Sequence, residues 1–148
     1  MTIVGVDPGK SGWASYLDGP TLQRIPLRDL AQLKKRLWDL SPVFLVEKQQ
    51  GSGRMSDFNY GWHCGQLWMV MESLGPVHEV SAQKWQRRYC VRGLSRSVRK
   101  TALWGEAKKL FPQGRITKEA ADSVLILHYA LHSSPEVKPY ALEQSLTH

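Results

Sequence analysis

The chain has 148 residues, 42% of them hydrophobic, and a formal net charge of +7. That length suits one domain that buries a core without disulfides or a structural metal. Its two cysteines, Cys64 and Cys90, have no paired ligand spacing, which argues against zinc or redox chemistry and for buried free thiols in a reducing compartment.

Ile3-Val4-Gly5-Val6 is a short apolar run that reads as a strand buried on both faces. It is too short for a signal peptide, and the longest apolar stretch further on is interrupted by His63, so no leader and no membrane span are expected and the cytoplasm is the expected location. The run ends on Asp7, directly before the turn Pro8-Gly9-Lys10-Ser11-Gly12. A carboxylate at the end of a core strand is held by rigid backbone, which suits metal binding or general-base work. A plain turn cap is the alternative reading of Asp7.

Gly12 to Leu17 and Thr21 to Ile25 read as a second and third strand around the turn Asp18-Gly19-Pro20, an antiparallel meander. Leu30, Leu33, Leu37 and Leu40 repeat at helical spacing with Lys34, Lys35 and Arg36 mostly opposite, and Pro42 ends that helix. Val43-Phe44-Leu45-Val46 then repeats the first pattern, finishing on Glu47.

A flexible stretch from Gln49 to Gly53 leads into a long helix from about Ser56 to Leu74, with Phe58, Trp62, Met69, Val70 and Leu74 among its apolar positions. Gly61 and Gly65 mark a face for close approach, by the sheet in the first reading and by another subunit in the second. Val77 to Val80 reads as a fifth strand, Lys84 to Tyr89 as a helical turn, Ser97 to Phe111 as a helix broken by Pro112-Gln113-Gly114, and Thr117 to Leu131 as the last helix. The order βββαβαβαα predicts a mixed five-stranded α/β sheet, an antiparallel meander plus parallel strands, with helices on both faces. A single domain over residues 1–148 is expected, with 133–148 a loosely packed tail.

The charge is unevenly placed. Between Lys84 and Lys118 eleven basic residues face one acid, Glu106, a local excess of +10, whereas the rest of the chain carries −3. Such a confined excess points to a polyanion, nucleic acid first, as partner. Candidate phosphate contacts are Lys84, Arg87, Arg88, Arg92, Arg96, Arg99, Lys100 and Lys118.

Glu119 and Asp122 are three residues apart and fall on one face at the start of the predicted last helix. The helix dipole accounts for Glu119. Asp122 sits among Ala120, Ala121, Val124, Leu125 and Ile126, where an unpaired carboxylate is costly and a cation would offset the cost. Asp7, Glu47, Glu119 and Asp122 therefore form a candidate set. Clustered carboxylates repel, and hard divalent cations hold them ionised. Two Mg²⁺ or Mn²⁺ ions about 3.5–4 Å apart are the arrangement that activates water and stabilises the leaving oxygen in phosphodiester hydrolysis.

The VGVDPGKSG start, the FLVEKQ strand, the Gly-containing loop and helix after it, the SAQKW segment and the EAADSVLILHYAL helix resemble, in order, the RuvC family of Holliday junction resolvases, most closely its shorter phage-type members. The resemblance covers about nine tenths of the chain. It implies an RNase H-like fold, Mg²⁺-dependent cleavage of four-way DNA junctions, a homodimer, no membrane partner, and work in a bacterial or phage-infected cell. By matching positions, Asp7, Glu47, Glu119 and Asp122 would be catalytic metal ligands for two Mg²⁺ ions, with Mn²⁺ as a substitute, and Lys84 and Lys100 would face the junction. Dimer contact would run through the long helix. Two departures stand out. Glu119 replaces the Asp or His common in cellular members, and Gln49 and Gln50 stand where those carry an aromatic residue; Phe58, the nearest aromatic, has core spacing.

Three other readings compete: an RNase H-like nuclease acting on structured RNA, as in the YqgF group; a branched-DNA-binding module without catalysis; and a sugar-kinase-like use of the DPGKSG turn, for which one domain is too small. His128 and His132, spaced i, i+4, lack a third zinc ligand and read as packing or surface residues. Trp85 reads first as core and second as a base-stacking residue.

Overall fold

A computed structural model describes residues 1–9, 11–49 and 56–140, the first three of the last stretch in backbone only. Five strands, β1 (Thr2–Asp7), β2 (Trp13–Asp18), β3 (Thr21–Pro26), β4 (Pro42–Lys48) and β5 (Val77–Ser81), form one sheet in the order β3-β2-β1-β4-β5. β1, β2 and β3 pair antiparallel, and β1, β4 and β5 pair parallel. The helices are α1 (Leu30–Leu37), α2 (Ser56–Leu74), α3 (Ala82–Gln86), which runs into a 3-10 turn at Arg87–Tyr89, α4 (Arg96–Leu110) and α5 (Ala121–His132).

The period-2 alternation of the strands separates two apolar layers. Val4, Val6, Phe44 and Val46 point to the α1 and α2 side, where they meet Leu33, Leu37, Leu67 and Met71. Ile3, Val43 and Leu45 point to the other side and pack with Trp85, Leu103, Val124 and Leu127. Both central strands are buried on two faces, which is why each reads as an unbroken apolar run.

α5 lies directly against β1. A Cβ added at Gly5 would collide with the backbone of Ser123 and Leu127, so only glycine lets the helix come this close. Beside it the hydroxyls of Ser15 and Ser123 meet at 2.7 Å in a fully buried pair, fixing α5 over β2 as well. At the end of β1, Gly12 N–H bonds to the Gly9 carbonyl at 3.0 Å, and the tightness of this turn leaves no room for a side chain at Gly12.

Three sequence expectations are corrected. The last helix starts at Ala121, not Thr117, because Thr117 Oγ1 accepts from the Ala120 N–H at 3.4 Å and closes a separate turn ahead of it. On α2, Leu67 and Met71 face the sheet, whereas Trp62 and Met69 are 66% and 73% exposed, and Gly61 and Gly65 meet no neighbour beyond their own helix among the described residues. The chain after α5 is packed as far as it is described: Val137 is fully buried and Glu136 pairs with Lys84. The stretch 50–55 and the tail 141–148 lie outside the described residues. None of the described helices is long and apolar enough to cross a membrane.

Candidate active site at the ends of β1 and β4

β1 and β4 run parallel in the register Gly5 to Leu45 and Val6 to Val46. One step further the same register sets Asp7 beside Glu47, on the face that carries α5. Asp122, in the first turn of α5, reaches the same place because Gly5 and Ser123 seat the helix on the strand. Three carboxylates from three elements thus meet at the carboxyl edge of the parallel strands, where open α/β sheets bind ligands.

Their electrostatics are those of a site short of positive charge. Burial, then repulsion by Asp122 and Glu47, pushes the Asp7 carboxyl from 3.8 up to about 8, with Lys100 acting the other way. Burial and Asp122 also raise Glu47, opposed by hydrogen bonds from Trp85 and Gln49. Asp122 is 6% exposed; its Oδ2 takes the Lys100 ammonium, and its Oδ1 is buried without a hydrogen-bond partner among the described residues. A cleft of about 340 Å³ opens in front, lined by Asp7, Gly9, Ser11, Gly12, Lys100, Lys118 and Glu119.

No family model matches this sequence, and no curated protein matches it. Among solved structures, Thermus thermophilus RuvC superposes with a TM-score of 0.60 at 16% identity, over 86% of this chain and 91% of that one. T. thermophilus RuvC in complex with Holliday junction substrate gives 0.62 at 15% identity, over 90% and 97%. The fold is that of RuvC. The sheet, with its antiparallel and parallel pairs and flanking helices, is the RNase H-like arrangement expected from the sequence.

Within this RuvC-like frame the four candidate acids are not equivalent. Asp7, Glu47 and Asp122 act on one another, whereas Glu119 is exposed in the turn before α5 and lines the cleft from its rim. Among the described residues no three acid, histidine or cysteine side chains converge tightly enough to chelate an ion. Most of their oxygens are engaged within the protein: Glu47 Oε2 accepts from Trp85 Nε1 at 2.7 Å and Oε1 from Gln49 Nε2 at 3.1 Å, while Lys100 bonds to Oδ2 of Asp122.

The basic segment of the RuvC-like fold divides into three groups. Lys100 and Lys118 border the acidic cleft, and Lys118 Nζ also donates to Thr101 Oγ1 at 3.1 Å. Arg87, Arg92 and Arg99 line a second cavity of about 370 Å³ with Gln83, Gln86 and Cys90, and Arg96 is exposed at the start of α4. Lys84 and Arg88 are engaged on Glu136 and Ser133.

Several side chains behave otherwise than expected, or escaped notice. Trp85 is fully buried, which removes it as a base-stacking surface. Tyr60 on α2 donates to the Pro8 carbonyl at 3.0 Å and so holds the turn after Asp7; burial, then Cys64, keeps its hydroxyl protonated. Nothing in its spacing marked it. The cysteines are free, but Cys64 is only half-buried and Cys90 is exposed at φ 53°, in the left-handed region. His128 packs rather than ligates: Nδ1 meets the Tyr89 hydroxyl at 3.0 Å, and burial, then His132 and Arg88, lowers it to about 4.

Proposed function

We propose that this chain is a metal-dependent, structure-selective DNA endonuclease that resolves Holliday junctions and other branched DNA by paired phosphodiester hydrolysis, working as a homodimer in the cytoplasm of a bacterial or phage-infected cell. The observation that carries this reading is the meeting of Asp7, Glu47 and Asp122 beside Lys100 at the strand ends of a RuvC-like sheet.

The chemistry of these residues suits a divalent cation, around which their side chains would have to draw closer together. A buried carboxylate oxygen without a partner on Asp122, and an Asp7 carboxyl driven towards its protonated form by neighbouring charge, are the features that a hard cation relieves. Asp7, Glu47 and Asp122 would hold Mg²⁺ or Mn²⁺, with Glu119 reaching in from the rim. When bound, the ions supply an activated water and stabilise the leaving oxygen. Lys100 and Lys118 place positive charge in the lining of the cleft through which a phosphodiester must enter. Arg87, Arg92 and Arg99 offer three guanidinium groups to backbone phosphates beyond the cleft.

The homodimer reading is supported by α2. An exposed tryptophan, Trp62, and methionine, Met69, lie beside Gly61 and Gly65, which meet no other part of the described residues, and a second copy would bury this apolar face. Trp62→Glu is expected to shift the protein to monomer in sedimentation and to abolish paired nicking.

The test is cleavage of a labelled four-way junction, a linear duplex and a structured RNA, each with Mg²⁺, Mn²⁺ or chelator. Symmetric metal-dependent nicks in the junction alone are expected. Cleavage of the RNA instead moves the reading to an RNA nuclease, and metal-independent junction binding without nicking moves it to a binding module.

A further inference from the structure

Trp85 is the largest fully buried side chain among the described residues, yet a core position alone does not call for tryptophan. A buried indole brings an N–H that must find an acceptor, a demand that phenylalanine or leucine would not make. Here the acceptor is a carboxylate oxygen, Glu47 Oε2 at 2.7 Å, and a charged acceptor makes the stronger kind of hydrogen bond.

The backbone delivers the indole to that oxygen. Glu47 pairs with Val80 and Lys48 with Ser81 across the parallel β4–β5 ladder. Ser81 then caps α3, its Oγ accepting the Lys84 N–H at 3.2 Å, and the next residue is Trp85. The first turn of α3 therefore folds back over the end of β4. The ring is held from behind by Tyr89, edge-on at 6.1 Å, and by the apolar layer that includes Val91 and Leu103. The two oxygens of Glu47 are consequently unlike. Oε2 is held by a rigid, buried donor, and Oε1 by the amide of the exposed Gln49 at 3.1 Å.

We propose that Trp85 is a positioning residue for Glu47: its buried indole N–H fixes one carboxylate oxygen so that the other, lightly held by Gln49, is the one presented to a divalent cation. The proposal rests on the nuclease reading given above. Groups that orient a ligating carboxylate are worth roughly 10–100-fold in metal affinity or activity.

The test is Trp85→Phe in the full chain, which keeps an aromatic ring and removes the donor. Mg²⁺ affinity measured calorimetrically without DNA should weaken by about tenfold or more, with metal-free binding of a four-way junction unchanged. Junction cleavage by W85F should return towards the wild-type rate at saturating Mg²⁺, a rescue that general damage to the core would not allow. Unchanged Mg²⁺ affinity overturns the proposal, as does a loss of cleavage that excess Mg²⁺ does not restore.

If W85F does not fold, the indole N–H spectrum of the wild-type protein takes its place. One exchange-resistant resonance should shift on addition of Mg²⁺ and lose that shift in Glu47→Gln; indole resonances that all stay put overturn the proposal. Weakened Mg²⁺ binding by W85F in a protein that cuts no junction supports Trp85 and overturns the nuclease reading. Junction cleavage with equal Mg²⁺ affinity in both proteins does the reverse.

Discussion

The ammonium of Lys100 rests on Oδ2 of Asp122, while Oδ1 of the same carboxylate stays buried with no hydrogen bond among the described residues. Lys100 thus supplies part of the positive charge that the three acids lack. Its side chain is 37% exposed, so solvent weakens the pair, and Lys100→Met should cost on the order of 1–3 kcal/mol. In chelator that is a fall in Tm of about 3–9 °C. Millimolar Mg²⁺ should recover most of it, because an ion can take over the charge that the lysine provided. Thermal melts with and without Mg²⁺ check this, and a loss that Mg²⁺ leaves untouched would contradict it.

The Asp7 carboxyl ionises near 3.8 in the unfolded chain and at about 8 in the folded one. Between those values the folded state keeps a proton that the unfolded state has given up, so the stability present below about pH 4 declines as pH rises towards 8. Melts in chelator should show Asp7→Asn flattening this decline and exceeding wild type at pH 8 by on the order of 5 °C. Mg²⁺ should flatten it in wild type. The same variant should lose cleavage and keep junction binding; residual cleavage would remove Asp7 from the site.

Glu119 is exposed, whereas Asp122 is buried and bonded to Lys100, so their amides should differ in effect. Asp122→Asn should abolish cleavage, whereas Glu119→Gln, altered in an exposed turn, should retain on the order of 10²-fold more activity and change mainly the ratio of Mn²⁺ to Mg²⁺ rates. Equal losses in the two variants would place Glu119 on the same footing as the inner three.

Replacing Arg87, Arg92 and Arg99 together by Gln should weaken metal-free junction binding without changing the site of nicking. Each phosphate contact contributes about 0.9 to the slope of log affinity against log salt concentration. The slope should therefore fall by about 2–3 in the triple variant. A slope equal to wild type would mean that the second cavity does not hold the DNA backbone.

The two strand-end acids were legible because a strand buried on both faces spells an unbroken apolar run, and the residue that ends the run must sit at the sheet edge. The start of α5 was not legible. A turn closed by Thr117 and a helix opened there satisfy the same local groups, and only the packed structure distinguishes them. The outward face of α2 was hidden for a related reason: a helix apolar on nearly all sides has no stripe to say which side meets the sheet. Net charge marked the basic segment, but not the pairing of Lys84 with Glu136, since that contact spans 52 positions of sequence. Trp85 was visible as an aromatic in a basic stretch; its acceptor was not, because the β4–β5 register that joins them is a tertiary fact.

The seat of α5 on Gly5 sets the spacing between Asp7 and Asp122 through main-chain contact, not through the fit of interchangeable side chains. A protein engineer therefore cannot widen or narrow this part of the site by repacking, since the amides of Val4 to Val6 and Ser123 to Leu127 part company only when the whole molecule does. Adjustable chemistry lies instead in exposed side chains such as Gln49, Lys118 and Glu119, where a substitution disturbs no packed backbone.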